Sequence, residues 1–157
     1  MDEEQYMRLA LAEAQAAAEE DEIPVGAVIV KDGAVIAKAH NTNRRAAAPT
    51  RHGEINAIEQ AAAALGNERL TNCSLYVTKE PCAMCAGAIV HARISRVIIG
   101  AADERYGACG TVLSVCGNVA LNHKPEIVFG MLKDECTDIL RRFFAKKREK
   151  QKPAAIF

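Results

Sequence analysis

The sequence predicts an α/β fold, a three-layer α/β/α sandwich with a central mixed five-stranded sheet. Three observations predict it. Short runs rich in Val, Ile and Ala recur at five places along the chain. From residue 74 onward these runs alternate with stretches whose apolar residues fall at helical spacing, the pattern of parallel strands between helix layers. An Asp32-Gly33 pair joins the first two runs, and that dipeptide signals a tight hairpin, so this strand pair is antiparallel and the sheet is mixed.

The elements follow in order. Residues 4–20 are rich in Ala, Leu and Glu, all strong helix formers, and Met7, Leu11, Ala14 and Ala18 recur on one face. Pro24 ends this helix. Residues 25–30 and 34–39 are the hairpin strands. Residues 41–51 show no periodicity and form a loop, whose Arg44, Arg45 and Arg51 suit phosphate or plain solvent equally. Residues 52–65 are a second helix, with Ile55, Ala57, Ile58, Ala61, Ala62 and Leu65 on its buried side and Gly66-Asn67 as its stop. Residues 74–78 are a strand and 82–92 a helix. Pro81 belongs at the start of that helix, where its missing N–H would lack a partner anyway. Residues 94–99 are a strand ended by Gly100. Residues 103–117 are a glycine-punctuated loop and 126–129 a short last strand. A final helix over 132–148 is apolar at Leu132, Cys136, Ile139, Leu140 and Phe143. One domain over 1–150 is expected, with a flexible tail over 151–157.

The composition is that of an ordinary globular protein, 50% hydrophobic and 25% charged, and no apolar run approaches a membrane span. The acidic start Met1-Asp2-Glu3-Glu4 is unlike a secretory signal, so a cytoplasmic location is expected. Six cysteines fit that compartment as free thiols and ligands rather than as a disulfide framework, with Cys73, Cys109, Cys116 and Cys136 taken as small packed residues. Net charge is zero but unevenly spread. Eight acids face one base between Asp2 and Glu22, and seven bases face one acid between Arg141 and Lys152. The basic end suits an anionic partner, or simply a solvated helix end whose dipole it complements.

The chemistry concentrates in two short stretches. Cys82 and Cys85 are three residues apart, at the mouth of a helix and just after a strand. This spacing lets two sulfurs grip one metal ion, and the helix dipole favours the thiolate that does so. A C-x-x-C alone also fits a redox couple. His52 upstream, opening another helix, would make a third ligand, leaving the fourth tetrahedral position for water as in catalytic zinc sites. Residues two apart do not share a helix face, so Glu54 is not expected to ligate beside His52. It is placed instead to exchange protons with the water.

His52-Gly53-Glu54 with Pro81-Cys82-Ala83-Met84-Cys85 resembles the zinc nucleoside and nucleobase deaminase superfamily, whose signature is H-x-E and P-C-x-x-C. The resemblance extends to the bacterial tRNA-specific adenosine deaminase family through 22–28, Asn41, Pro49-Thr50, 75–78, 85–89, Arg96-Val97, Asp103, 107–110, Asn122-His123 and Phe143-Phe144, nearly the full chain in order. It implies a cytidine deaminase-like fold for a zinc-dependent deaminase domain over 1–150, and a hydrolase that converts adenosine to inosine at the wobble position of tRNA. His52, Cys82 and Cys85 would hold one Zn2+ per subunit. Glu54 would shuttle protons, and the Cys82 N–H would help to fix the hydroxide. Asn41 would hydrogen-bond the flipped base, and Asp103 and Phe144 would touch the RNA. The implied partners are the tRNA anticodon stem-loop and a second subunit in a homodimer. The chain departs from the family pattern at Gly53, where alanine is commonest, and at Arg51, where a small residue is expected. Three other functions remain open at the level of sequence. One is a deaminase of a free nucleobase such as guanine or cytosine. The others are a zinc-stabilised RNA-binding module and a redox C-x-x-C protein.

Overall fold

The computed structural model describes residues 1–151. Five strands form one sheet in the order β2-β1-β3-β4-β5. They are β1 (Gly26–Lys31), β2 (Ala34–His40), β3 (Cys73–Lys79), β4 (Arg96–Ala101) and β5 (Glu126–Phe129). β1 pairs antiparallel with both β2 and β3, and β3, β4 and β5 run parallel. Asp32 and Gly33 both take positive φ, 50° and 76°, as the two central residues of the predicted hairpin turn must.

Four helices cover the two faces: α1 (Glu3–Glu19), α2 (Gly53–Leu65), α3 (Ala83–Ala92) and α4 (Lys133–Gln151). The period-2 alternation of side chains splits the core in two. Ala27 and Ile29 of β1, Leu75 and Val77 of β3, and Val97 and Ile99 of β4 face α2 and α3. Val28, Val30, Tyr76 and Ile98 face the other way, onto Tyr6, Met7 and Ala10 of α1 and Cys136 of α4. The sandwich is therefore three-layered and its sheet mixed and five-stranded, as expected from the sequence. No helix among the described residues is long and apolar enough to cross a membrane.

Several boundaries shift, each for a physical reason. Gly100 does not end β4 but lies inside it. A Cβ there would come within 2.3 Å of Cys136 Sγ and 2.9 Å of the Thr78 carbonyl oxygen, so its missing side chain lets α4 lie close on the sheet. α1 buries Met7, Ala10, Ala14 and Ala17, and Leu11 and Ala18 fall on the shoulder of that face. Gly26 is the counterpart in β1, where a Cβ would sit 1.8 Å from the Ala10 carbonyl oxygen. α4 reaches Gln151, so the tail expected over 151–157 lies outside the described residues except for that last helical position. Pro81 precedes the N-cap Cys82 rather than opening the helix, and its carbonyl accepts a hydrogen bond from the Ala108 N–H at 2.9 Å.

The topology brings one edge of the sheet together. Gly26, at the start of β1, pairs with His40, at the end of β2; Ala27 pairs with Val77; and Lys79, the last residue of β3, pairs with Ala101, the last of β4. The segments leaving β2, β3 and β4 therefore emerge side by side, in the crevice where open α/β sheets take their ligands.

Candidate metal centre and active site

His52 and Cys82 are the N-cap residues of α2 and α3, each in extended backbone, and Cys85 lies in the first turn of α3. The sheet edge aims these two helix N-termini at one point. His52 Nδ1 is 3.7 Å from Cys82 Sγ and 3.5 Å from Cys85 Sγ, and the three donor atoms all lie within 4.8 Å of one another. The mutual electrostatics are those of a ligand set. The Cys82 thiol is pushed down to about 3, first by the hydrogen bond from the Cys85 thiol and then by His52. Cys85 is pushed up, by its bond to Cys82 and by burial, and Cys82 draws the His52 imidazole above its usual value. One imidazole and two sulfurs that share protons so closely can hold a metal ion, which would displace the remaining protons.

Glu54 completes the floor. It is only 3% exposed, and its Oε1 has no hydrogen-bond partner among the described residues. Burial raises its carboxyl above the ordinary range. A buried carboxylate oxygen without a partner is costly, and such a group persists where a bound ligand or ion satisfies it. The donor chemistry and the orphaned oxygen together fit a catalytic metal.

His52, Cys82 and Glu54 line a cavity of 390 Å³ with Ile23, Val25, Asn41, Asn43, Lys79, Glu80, Asp103 and Tyr106, a volume suited to a small ligand. Asn41 is buried, and its Oδ1 accepts the Gly53 N–H at 2.6 Å, which fixes the start of α2 and leaves the amide NH2 as the group it can offer a ligand. Gly53 fits tightly. A Cβ would meet the Val25 carbonyl oxygen at 3.1 Å and His40 Cα at 3.2 Å, so the family's commoner alanine would need a small shift of its neighbours. Asp103 Oδ1 accepts the N–H groups of Arg105 and Tyr106 at 2.9 and 3.1 Å, and its Oδ2 pairs with Lys79 Nζ at 3.0 Å. Phe144 does not line the cavity. It lies on α4, 39% exposed, edge-on to Phe143. Arg51 is tied to Glu59 of α2 by an ion pair.

Two buried acids that hold the loops were not singled out from the sequence. Glu22 is fully buried, and its two oxygens accept the N–H groups of Arg44 and Arg45 at 3.0 and 2.7 Å, shaping the 41–51 loop. Glu80, 3% exposed, accepts the N–H groups of Asp103, Cys109 and Thr111 at 3.1, 3.0 and 3.2 Å, and the Thr111 hydroxyl as well. One carboxylate thus pins the loop that carries Asp103 over the cavity. Replacing Glu80 by Ala strands those donors and should lower the unfolding free energy by about 3 kcal/mol. Urea denaturation measures it, and a loss below about 0.5 kcal/mol, the level of an ordinary surface change, would contradict the anchoring role.

The chain is similar to known proteins along nearly its whole length. The family model described as MafB19-like deaminase matches residues 1–148. The tRNA-specific adenosine deaminase of Bacillus subtilis (strain 168) is 43% identical, covering 97% of this chain and 94% of its own. That of Agrobacterium fabrum is 46% identical over 91% and 94%. A solved structure from biochemical and structural studies of A-to-I editing by tRNA:A34 deaminases at the wobble position of transfer RNA superposes with a TM-score of 0.84. It is 45% identical, with 87% of this chain and 99% of that one covered. A guanine deaminase from Nitrosomonas europaea shares the fold with a TM-score of 0.81 at 23% identity, over 92% and 85% of the two chains.

Proposed function

The chain belongs to the tRNA-specific adenosine deaminases, within the MafB19-like deaminase family, and on that premise we propose that it hydrolyses adenosine to inosine at the wobble position of a tRNA anticodon. The observation that carries this reading is the meeting of His52, Cys82 and Cys85 beside Glu54, whose Oε1 has no partner among the described residues, at one cavity.

In the reaction water adds at C6 of the purine and ammonia leaves. His52, Cys82 and Cys85 would hold one Zn2+ per subunit, and soft thiolates with imidazole favour that metal. Zinc bound there would supply an acidified water, its pKa lowered from about 15.7 towards roughly 7. Glu54 would carry one proton from the attacking water to the purine ring nitrogen and then a second, from the new C6 hydroxyl, to the departing amine. Its burial beside the ligand group keeps the carboxyl within reach of that water and away from bulk solvent. The Asn41 NH2 would donate to the base, with the amide held in one orientation by the Gly53 N–H. Asp103 would meet the RNA at the rim. Phe144, outside the cavity, would meet it only beyond the flipped base. The basic run of α4 would add salt-sensitive attraction to the phosphate backbone. A homodimer acting in the cytoplasm is part of the same reading.

The test is to incubate the zinc-loaded protein with an anticodon stem-loop carrying adenosine at its first anticodon position and to sequence the product. That position should then read as guanine. Ammonia release from free guanine, with the hairpin unchanged, would overturn the proposal in favour of a free-base deaminase.

A further inference from the structure

The geometry points to Lys79 as a specificity-determining residue of this site, taking the phosphate next to the deaminated nucleoside and so distinguishing a nucleotide within a strand from a free base. This rests on the tRNA reading above and deepens it.

The cavity is acidic. The carboxylates of Glu54, Glu80 and Asp103 line it. A strand of RNA carries a phosphate on either side of every nucleoside, so burying one nucleoside here brings phosphates against those carboxylates. Lys79 is the single Lys or Arg among the described residues lining the cavity. The arginines of the neighbouring 41–51 loop lie outside this lining and reach acids elsewhere. Arg44 Nη1 binds the Asp21 carboxylate at 2.8 Å and its carbonyl at 2.9 Å, Arg45 pairs with Glu20 at 3.3 Å, and Arg51 pairs with Glu59.

Lys79 is also held ready. It closes β3 at the edge where the site is built, opposite Ala101 of β4. Its side chain is 26% exposed, open enough to meet a ligand and covered enough to keep its direction. Asp103 Oδ2 holds the ammonium at 3.0 Å, and Asp103 itself is clamped by two backbone N–H groups and presents only 10% of its side chain. An ammonium has three donors and this pair uses one, so a phosphate oxygen can be taken without releasing Asp103. The pair then presents a cation to the phosphate and an acceptor to the sugar or base beside it.

The experiment measures binding of the anticodon stem-loop across a range of salt concentrations. It uses zinc-loaded protein carrying Glu54→Gln, so that the RNA stays unconverted. Adding Lys79→Gln should weaken binding roughly fivefold to tenfold and reduce the slope of log Kd against log salt by about 0.7 to 0.9, the signature of one lost phosphate contact. Lys79→Arg should restore both. Lys31→Gln, at the opposite end of the sheet where β1 meets Cys73, should leave both unchanged. Asp103→Asn should not reduce the slope, because it removes no cation. An unchanged slope in Lys79→Gln overturns the assignment even if affinity falls, because Lys79 would then act only by holding Asp103. A failure of Lys79→Arg to restore the slope overturns it too. Should Lys79→Gln not fold, Lys79→Arg and Asp103→Asn decide, and a slope reduced in either contradicts the assignment. A wild-type protein that leaves the hairpin adenosine unedited defeats the tRNA reading itself. A wild type that edits, beside a Lys79→Gln protein with full salt dependence, defeats only the role given to Lys79.

Discussion

Replacing Glu54 by Gln is expected to lower the deamination rate by about 10² to 10⁴ while leaving the fold and the bound metal in place. The amide matches the carboxylate in shape, and Oε1 forms no hydrogen bond that the change would break. What disappears is the group able to carry a proton between water and purine, and that range is the usual contribution of a positioned general acid–base. The fold should tolerate the change well, because a neutral amide is cheaper to bury than a carboxylate. Single-turnover assays on the stem-loop, metal analysis and thermal melts separate these effects. Turnover kept within a few-fold would mean that Glu54 does not move the proton, and absence of turnover in wild type as well would leave a zinc-stabilised RNA-binding module.

Replacing Cys85 by Ser is expected to cost both metal and turnover. Cys85 is fully buried in the first turn of α3, its sulfur 3.5 Å from His52 Nδ1. A serine hydroxyl is a harder donor that keeps its proton at neutral pH, so a three-ligand set becomes a two-ligand set. The affinity loss should exceed the roughly 10- to 100-fold that follows removal of a group merely supporting a ligand. Metal content should fall from one ion per chain to a small fraction after dialysis. Full occupancy and turnover in the variant would contradict the ligand assignment. If the wild-type protein instead carried no metal and cycled a Cys82–Cys85 disulfide, the pair would be a redox couple.

The grouping of His52, Cys82 and Cys85 was legible in the sequence because those residue types are specific. Cys82, Cys85 and His52 lie at helix starts, and Pro81 and the strand run over 74–78 mark where the cysteine helix begins. The five strands and four helices were legible for a similar reason, since period 2 and period 3.6 survive in Val, Ile and Ala positions. What the sequence hid depends on contacts between distant segments. Glu22 reads as one more acid in an acidic run, yet it is fully buried and receives two backbone N–H groups from a loop about twenty residues away. Glu80 reads as a residue beside a motif, yet it organises a loop 23 to 31 positions downstream. Gly100 reads as a stop, yet it makes room for the Cys136 sulfur. Asn41 reads as a loop residue, and its hold on the Gly53 N–H shows only in three dimensions.

The most direct measurement is a crystal structure of the zinc-loaded chain with anomalous scattering recorded at the zinc edge. One peak per subunit is expected, bound by His52 Nδ1, Cys82 Sγ and Cys85 Sγ, with a solvent atom in the fourth position within hydrogen-bond reach of Glu54. A peak elsewhere, or a fourth protein atom closing that position, would contradict it.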